Sequence, residues 1–298
     1  MKLLMVINPK AGSSDKIDFV EEAKEYAKTQ KVDLGVYWTN GKTDEANIAQ
    51  LIKEEKFDRL LAAGGDGTIR MAAIVIKNSK SKSLLGIVPL GTSNGLATDL
   101  HIPQNPIKAF KAGINSSTSI DLDFICVNGA DYILHIGDLG ANANLIKRFE
   151  KDHEEGYAAY TKHLIEELQD LGSFDYNIDC DGEIWEGSAQ MIAFCNARKF
   201  GSGIPLTLSG HPGDGKFEIV IYKEINFTTL VKSTLSTLNE NFFEVENREI
   251  IECESAKIQL RPKVIMQLDG ELYHEVDKVS LKIEKAQIEL ICSIDSPY

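Results

Sequence analysis

Three loops rich in glycine and small polar residues each follow a short apolar segment in the first hundred residues. In chain order they are Asn8-Pro9-Lys10-Ala11-Gly12, Gly64-Gly65-Asp66-Gly67-Thr68 and Gly91-Thr92-Ser93-Asn94-Gly95-Leu96-Ala97. Glycines allow positive φ angles and let backbone N–H groups approach a phosphate closely, and a helix that follows points its positive end at the same place. Asp66 adds a carboxylate for Mg²⁺ or a reacting hydroxyl, and Lys10 adds a cation. The pattern predicts a phosphate-binding site.

Each loop also has a simpler explanation when it is taken alone. Gly-Asp-Gly is frequent in tight turns, and a Ser or Asn before a helix caps its first turn. The first loop is not a Walker A motif, because the G-x-x-x-x-G-K-[ST] spacing is absent. The functional interpretation therefore depends on the loops after residues 63 and 90 lying side by side.

The elements that position these loops alternate between strand and helix. Apolar strands are predicted at 3–8, 34–38, 60–63 and 84–89, with helices at 15–29, 43–55, 69–78 and 106–113. In the first helix Ile17, Val20, Ala23 and Ala27 recur at helical spacing. The rhythm predicts a parallel sheet with helices on both faces, and ligands of such sheets bind at the carboxyl ends of the strands.

After about residue 120 the pattern changes to short strand-like segments. They are predicted at 131–136, 175–180, 189–195, 217–222, 256–260, 263–268, 279–284 and 287–292, with helical patterns near 157–171 and 227–240. This arrangement predicts a mostly antiparallel β domain. The domains are expected to span 1–125 and 126–285, and the first of them carries the three glycine-rich loops.

Composition excludes several classes of protein. The 298 residues carry a net charge of −13 with no basic cluster, which argues against nucleic-acid binding. No uncharged apolar stretch reaches the roughly 20 residues of a membrane span. The five cysteines are scattered and include no C-x-x-C pair, so we expect no disulfide framework or zinc site, and a cytoplasmic, reducing location.

The order Gly-Gly-Asp-Gly-Thr, then Gly-Thr-x-Asn-x-x-Ala, resembles the diacylglycerol kinase catalytic-domain family. That family includes bacterial lipid kinases, is related to sphingosine kinases and lies beside the NAD kinases. The resemblance implies an N-terminal three-layer α/β/α domain, a C-terminal β-sandwich, and a last strand, about 286–298, that returns to the first domain. It also implies ATP and Mg²⁺ as cofactors, with phosphates on the three loops and Thr39 as a further ATP contact.

Further residues are assigned by the same resemblance. Gln267-Leu268-Asp269-Gly270-Glu271 is similar to the family's Asp-Gly-Glu motif, so Asp269 is expected to be the general base and Glu271 to support it, with Asp66 as the third catalytic carboxylate. His211, Asp214 and Lys216 match a structural magnesium site, with His211 and Lys216 offering main-chain carbonyls because an ammonium group cannot bind a cation. A plain turn explains the 211–216 segment equally well, and for the Asp269-Gly270-Glu271 segment taken alone an Asp-Gly hairpin is the preferred explanation.

The predicted function is a lipid kinase that phosphorylates a lipid hydroxyl at a membrane surface, to which the enzyme binds transiently. Two alternatives stay open: an NAD kinase-like enzyme acting on a soluble nucleotide, and a nucleotide-binding regulator without catalysis. The sequence does not name the lipid. It does not fix the oligomeric state either, and a homodimer is compatible with it.

Overall fold

The computed structural model describes residues 1–12, 16–140, 172–200, 204–225, 248–293, 296 and 298. They divide into two compact units: Met1–Asp123 with Lys285–Tyr298, and Phe124–Glu284. The helices predicted near 157–171 and 227–240 lie outside the described residues. No helix within the described ranges is long and apolar enough to cross a membrane.

The first unit alternates strands and helices as predicted. Its elements are β1 (Lys2–Ile7), α1 (Lys16–Thr29), β2 (Asp33–Trp38), α2 (Asp44–Glu55), β3 (Arg59–Gly64), α3 (Asp66–Ser79), β4 (Leu84–Pro89), α4 (Gly95–Asp99), α5 (Pro106–Asn115) and the start of β5 (Ser119–Val127). Helix α4 was not predicted. The start of α5 is set locally, because the Asn105 side chain accepts from Lys108 N at 3.0 Å and Pro106 occupies the first turn.

A parallel sheet forms the middle layer of this unit. Its strands run in the order β2-β1-β3-β4, and the end of β16 (Glu271–Ile291) adds next to β4 through the pair Leu290 and Leu85. Helix α1 packs against α5, and α2 packs against α3. The strands are almost wholly buried, as a parallel sheet covered on both faces requires. The predicted α/β/α fold is confirmed.

The second unit is an antiparallel β-sandwich, which confirms the second part of the predicted fold. Its other strands are β6 (Asp131–Ile133), β7 (Ile136–Gly140), β8 (Phe174–Cys180), β9 (Glu183–Ala189), β10 (Met191–Cys195), β11 (Lys199–Phe200), β12 (Ile204–Pro205), β13 (Phe217–Tyr222), β14 (Arg248–Cys253) and β15 (Ser255–Leu268). The first part of β15 pairs with β8 and its end with β7, so one strand links the layers that enclose the core.

Several strands after residue 120 have bounds that differ from the prediction. The segments predicted at 256–260 and 263–268 form one strand, β15, and those at 279–284 and 287–292 belong to the single long strand β16. Strands β9, β11, β12 and β14 were not predicted, and the segment predicted at 131–136 divides between β6 and the start of β7. In β9 most residues are exposed, so the strand lacks the alternation of buried apolar residues on which the prediction depends.

Candidate phosphate-binding site and the carboxylates of the second unit

The loops after β3 and β4 touch each other through their backbones. A Cβ atom added to Gly91 would lie 2.5 Å from Cα of Gly65, and Leu90 N donates to the Gly64 carbonyl at 2.9 Å. Real Cβ atoms essentially never approach another atom this closely, so glycine is required at position 91. The two segments thus lie side by side and reach the surface, with Thr92 and Ser93 exposed.

Asp66 links these two loops from the first turn of α3. Its Oδ2 accepts from Gly95 N at 3.2 Å. Its Oδ1 is buried and has no hydrogen-bond partner among the described residues. A buried carboxylate oxygen without a donor is unusual and costly. Carboxylate oxygen is the ligand that Mg²⁺ prefers, so the residues present fit a magnesium ion held at Asp66.

Asn94 shapes its own loop. The residue has φ of 49°, its Oδ1 accepts from Gly91 N at 2.9 Å, and its Nδ2 donates to the Gly91 carbonyl at 2.9 Å. Both ends of the amide are therefore used within the loop. Of the two residues predicted here as nucleotide contacts, Thr92 offers an exposed hydroxyl, whereas Asn94 is buried.

The loop after β1 packs against both of the others. Asn8 Nδ2 donates to Thr68 Oγ1 at 3.4 Å, and Lys10 N donates to Asn8 Oδ1 at 2.9 Å. Gly12 has φ of 59°, and a Cβ there would lie 2.4 Å from the Leu90 carbonyl oxygen. Pro9 and Lys10 are exposed, whereas Ala11 is buried. The structure therefore brings all three predicted loops together.

Thr39 lies at the same edge of the sheet, because β2 pairs with β1 and Thr39 N donates to the Ile7 carbonyl at 2.9 Å. The turn beyond it is organised by Asp44. Burial alone would raise the pKa of Asp44, but the N–H groups of Asn40 and Gly41 and the Tyr37 hydroxyl donate to its carboxylate and lower that pKa below its ordinary value. This anionic anchor was not predicted.

Lys16 is a second residue that the sequence reasoning missed. It is only 7% exposed, and its Nζ donates to the Gly12 carbonyl at 3.4 Å, which places an ammonium group against the first loop. Ile17, predicted to face the core, is 64% exposed. The prediction was wrong because the helix begins with Lys16 turned inward to the loop.

In the second unit Asp269 holds a turn together. Its Oδ2 accepts from Leu134 N at 2.9 Å, and its Oδ1 accepts from His135 N and Ile136 N at 2.9 and 3.1 Å. Asp269 is 8% exposed and has φ of 50°. An ionised carboxylate has about four acceptor positions, and backbone N–H groups that hold the turn occupy three of them in Asp269. This geometry gives Asp269 a structural role in the turn, and its general-base role stays a prediction.

Glu271, two residues later, is exposed at the start of β16. The hairpin that carries it is tied a second time through Gln267, whose Oε1 accepts from Gly270 N at 2.6 Å and whose Nε2 donates to the buried carboxylate of Asp138. Asp138 and Gln267, which lie opposite each other on β7 and β15, thus stabilise the hairpin through the Gln267 side chain. Of the two predicted carboxylates, Glu271 is the one that is exposed.

The three predicted magnesium ligands share one turn before β13. Lys216 N donates to Asp214 Oδ1 at 3.0 Å, and Asp214 N approaches the His211 carbonyl at 3.4 Å. Asp214 and Lys216 are exposed. Nearby, burial raises the pKa of Glu218 to about 7, and the charge of Asp214 adds to the rise. The turn explanation and the ion-site explanation both fit this geometry.

Comparison with known proteins identifies the family. Residues 2–125 match the diacylglycerol kinase catalytic domain, and residues 138–292 match the YegS C-terminal NAD kinase beta sandwich-like domain. A protein of Bacillus subtilis (strain 168) named "Diacylglycerol kinase" is 24% identical over 230 residues, which cover 76% of each chain. An Escherichia fergusonii protein named "Probable lipid kinase YegS" is 26% identical over 274 residues, 90% of this chain and 88% of that one.

A solved structure supports the fold over the whole length. The crystal structure of a diacylglycerol kinase from Bacillus anthracis str. Sterne superimposes with a TM-score of 0.74 at 20% identity, covering 99% of this chain and 98% of the other. The two domain matches confirm the resemblance predicted from the glycine-rich motifs. The chain belongs to the lipid kinase family that combines a diacylglycerol kinase catalytic domain with a YegS-type C-terminal domain.

Proposed function

We propose that this protein is a Mg²⁺- and ATP-dependent kinase that transfers the γ-phosphoryl group of ATP to the hydroxyl of a lipid. The observation that carries the proposal is the contact between the loops after β3 and β4, with an unpartnered, buried Asp66 Oδ1 beside them. Because Gly65, Gly67 and Gly91 have no side chains, phosphate oxygens can approach the backbone N–H groups of these loops closely, and the N-terminus of α3 adds a favourable dipole.

The nucleotide phosphates are assigned to the backbone of residues 64–68, the Thr92 hydroxyl and the loop at 8–12. Lys10, exposed at the tip of that loop, is positioned to balance phosphate charge. When bound at Asp66, Mg²⁺ would neutralise charge on the phosphate oxygens. Catalysis by these groups is mainly positioning and electrostatic stabilisation, as phosphoryl transfer requires.

Glu271 is assigned the role of general base. Its carboxylate accepts the proton of the acceptor hydroxyl as the alcohol oxygen bonds to the γ-phosphorus and the bond from that phosphorus to ADP breaks. Asp269, Gln267 and Asp138 are positioning residues, because they fix the hairpin on which Glu271 stands. The turn at 211–216 is retained as a candidate structural magnesium site.

The acceptor class rests on the family, whose members carry lipid kinase names. A lipid alcohol is presented at a membrane surface, so the enzyme must bind there transiently. The decisive experiment incubates the purified chain with ATP, Mg²⁺ and either total lipid extract or NAD, and identifies phosphorylated products by mass spectrometry. Phosphorylated lipid supports the proposal, and NADP alone assigns the chain to the NAD kinase-like alternative.

A matched pair of variants tests the site itself. Asp66→Asn is expected to lower turnover by about 100-fold or more, because it removes the negative charge that would hold Mg²⁺ next to the phosphate oxygens in the transition state. The exposed Asp18→Asn on α1 serves as the control and is expected to keep full activity. Absence of turnover by the wild type on every lipid extract and on NAD, with ATP still bound, would establish the regulator alternative instead.

A further inference from the structure

Two cysteines and an aspartate meet at one end of the β-sandwich, away in sequence from every motif assigned above. Cys180 ends β8, Asp181 follows it in the turn to β9, and Cys253 ends β14. One ligand atom from each, the two Sγ atoms and a carboxylate oxygen, lies within 4.8 Å of the other two. Both thiols are buried, at 4% and 2% exposure, and Asp181 is exposed.

The backbone around this cluster is fixed by several independent contacts. Asp181 accepts from Glu254 N at 2.8 Å and from Ser255 N and Ser255 Oγ at 2.9 Å, and its own N–H donates to the Ser255 carbonyl at 3.2 Å. Strand pairing places Cys180 opposite Ala256. The turn after β8 and the corner between β14 and β15 are therefore already held together before any ligand binds.

We propose that Cys180, Asp181 and Cys253 form a binding site for a thiophilic divalent cation of the Zn²⁺ class. Two thiolates and a carboxylate are ligands that Zn²⁺ accepts, and the fourth tetrahedral position is left for water on the exposed side of Asp181. With Zn–S bonds of about 2.3 Å, tetrahedral sulfur atoms lie about 3.8 Å apart, so the two sulfur atoms need to approach each other by no more than about 1 Å.

Binding requires that both thiols give up their protons, so one Zn²⁺ displaces two H⁺. The bound ion bridges the β8–β9 turn to the end of β14 and stabilises the second unit, since it binds the folded arrangement and not the separated segments. The site is independent of the proposed kinase reaction and contains none of the residues assigned to it.

The experiment uses the full chain, reduced with a phosphine and freed of metal, and Co²⁺ and Zn²⁺ as probes. Co²⁺ is expected to produce a thiolate-to-metal absorption band in the near ultraviolet, and Zn²⁺ to displace it at a 1:1 ratio and raise the melting temperature. Zn²⁺ affinity is expected to increase with pH by up to about 100-fold per pH unit, as the release of two protons requires.

Cys180→Ser and Cys253→Ser are each expected to weaken Zn²⁺ binding by at least about 100-fold and to abolish the absorption band. Cys126→Ser, a buried cysteine on β5 of the same unit, is the matched control and is expected to bind like the wild type. Two results would overturn the proposal. One is a wild-type protein that shows no band and no thermal shift, and the other is a shift that survives in the Cys180→Ser/Cys253→Ser double variant.

Discussion

The neighbouring carboxylates Asp269 and Glu271 are expected to respond to substitution in opposite ways. Asp269→Asn keeps one oxygen for His135 N and Ile136 N but places an NH₂ group against Leu134 N–H. Asn tolerates the φ of 50° at this position, so the backbone is not strained by the change. The variant therefore measures the effect of replacing the ionised carboxylate that accepts these three N–H groups, without a change in backbone conformation.

The size of the effect follows from the three contacts. One buried N–H without an acceptor costs about 1–3 kcal/mol, and the two remaining bonds each weaken by about 1 kcal/mol when the acceptor is no longer charged. Asp269→Asn is therefore expected to lower the free energy of unfolding of the second unit by about 3–5 kcal/mol. Glu271→Gln, at an exposed position, is expected to change that quantity by less than about 0.5 kcal/mol.

The assay is urea unfolding followed by fluorescence in a Trp38→Phe background, where Trp185, packed on the core of the second unit, is the only tryptophan left. Turnover is measured in parallel. Glu271→Gln is expected to lose about 100-fold or more of kcat, as for removal of a general base. If Asp269→Asn instead kept its stability and lost turnover, whereas Glu271→Gln stayed active, the assignment of roles would be refuted.

Three further predictions concern the first unit. Gly91→Ala is expected to raise the KM for ATP by at least about tenfold, because the new Cβ would lie 2.5 Å from Gly65 Cα and push the two loops apart. Gly172→Ala is the neutral control, because a Cβ there has no atom within 4 Å. Equal KM values for ATP in the two variants would contradict this prediction. Asp44→Asn is expected to lower the melting temperature at pH 7. Because the pKa of Asp44 is lower in the folded state, its carboxylate contributes to stability above its ordinary pKa of 3.8, and that contribution is lost as the pH falls through the folded-state pKa. The difference in melting temperature between wild type and Asp44→Asn should therefore narrow in that range. A difference that stays constant from pH 7 to pH 3 would show that Asp44 does not stabilise the turn. Lys16→Met is expected to weaken ATP binding several-fold with kcat little changed. The control Lys24→Met, on the exposed side of α1, should leave ATP binding and kcat unchanged. An effect on kcat alone would exclude a role for Lys16 at the first loop.

The amino-acid sequence determined the classes of structure and the location of the phosphate-binding loops. Apolar runs of strand length alternating with helical periodicity indicate a parallel sheet, and in such a sheet loops that follow the strands must share one edge. The glycines of these loops were recognisable because glycine lets the backbone approach a phosphate closely, and at position 91 a Cβ would lie 2.5 Å from Gly65 Cα. These properties are local, or follow from topology that local patterns dictate.

Tertiary structure decided what each polar side chain does. Asp269 and Glu271 are two residues apart and chemically alike, and only the backbone N–H groups of 134–136, which are distant in sequence, make one a structural anchor and leave the other exposed. Likewise Cys180 and Cys253 show no metal-binding spacing, and only the pairing of strands brings their sulfur atoms together. Long-range contacts set the burial and the hydrogen-bond partners of a group, and those in turn set its chemistry.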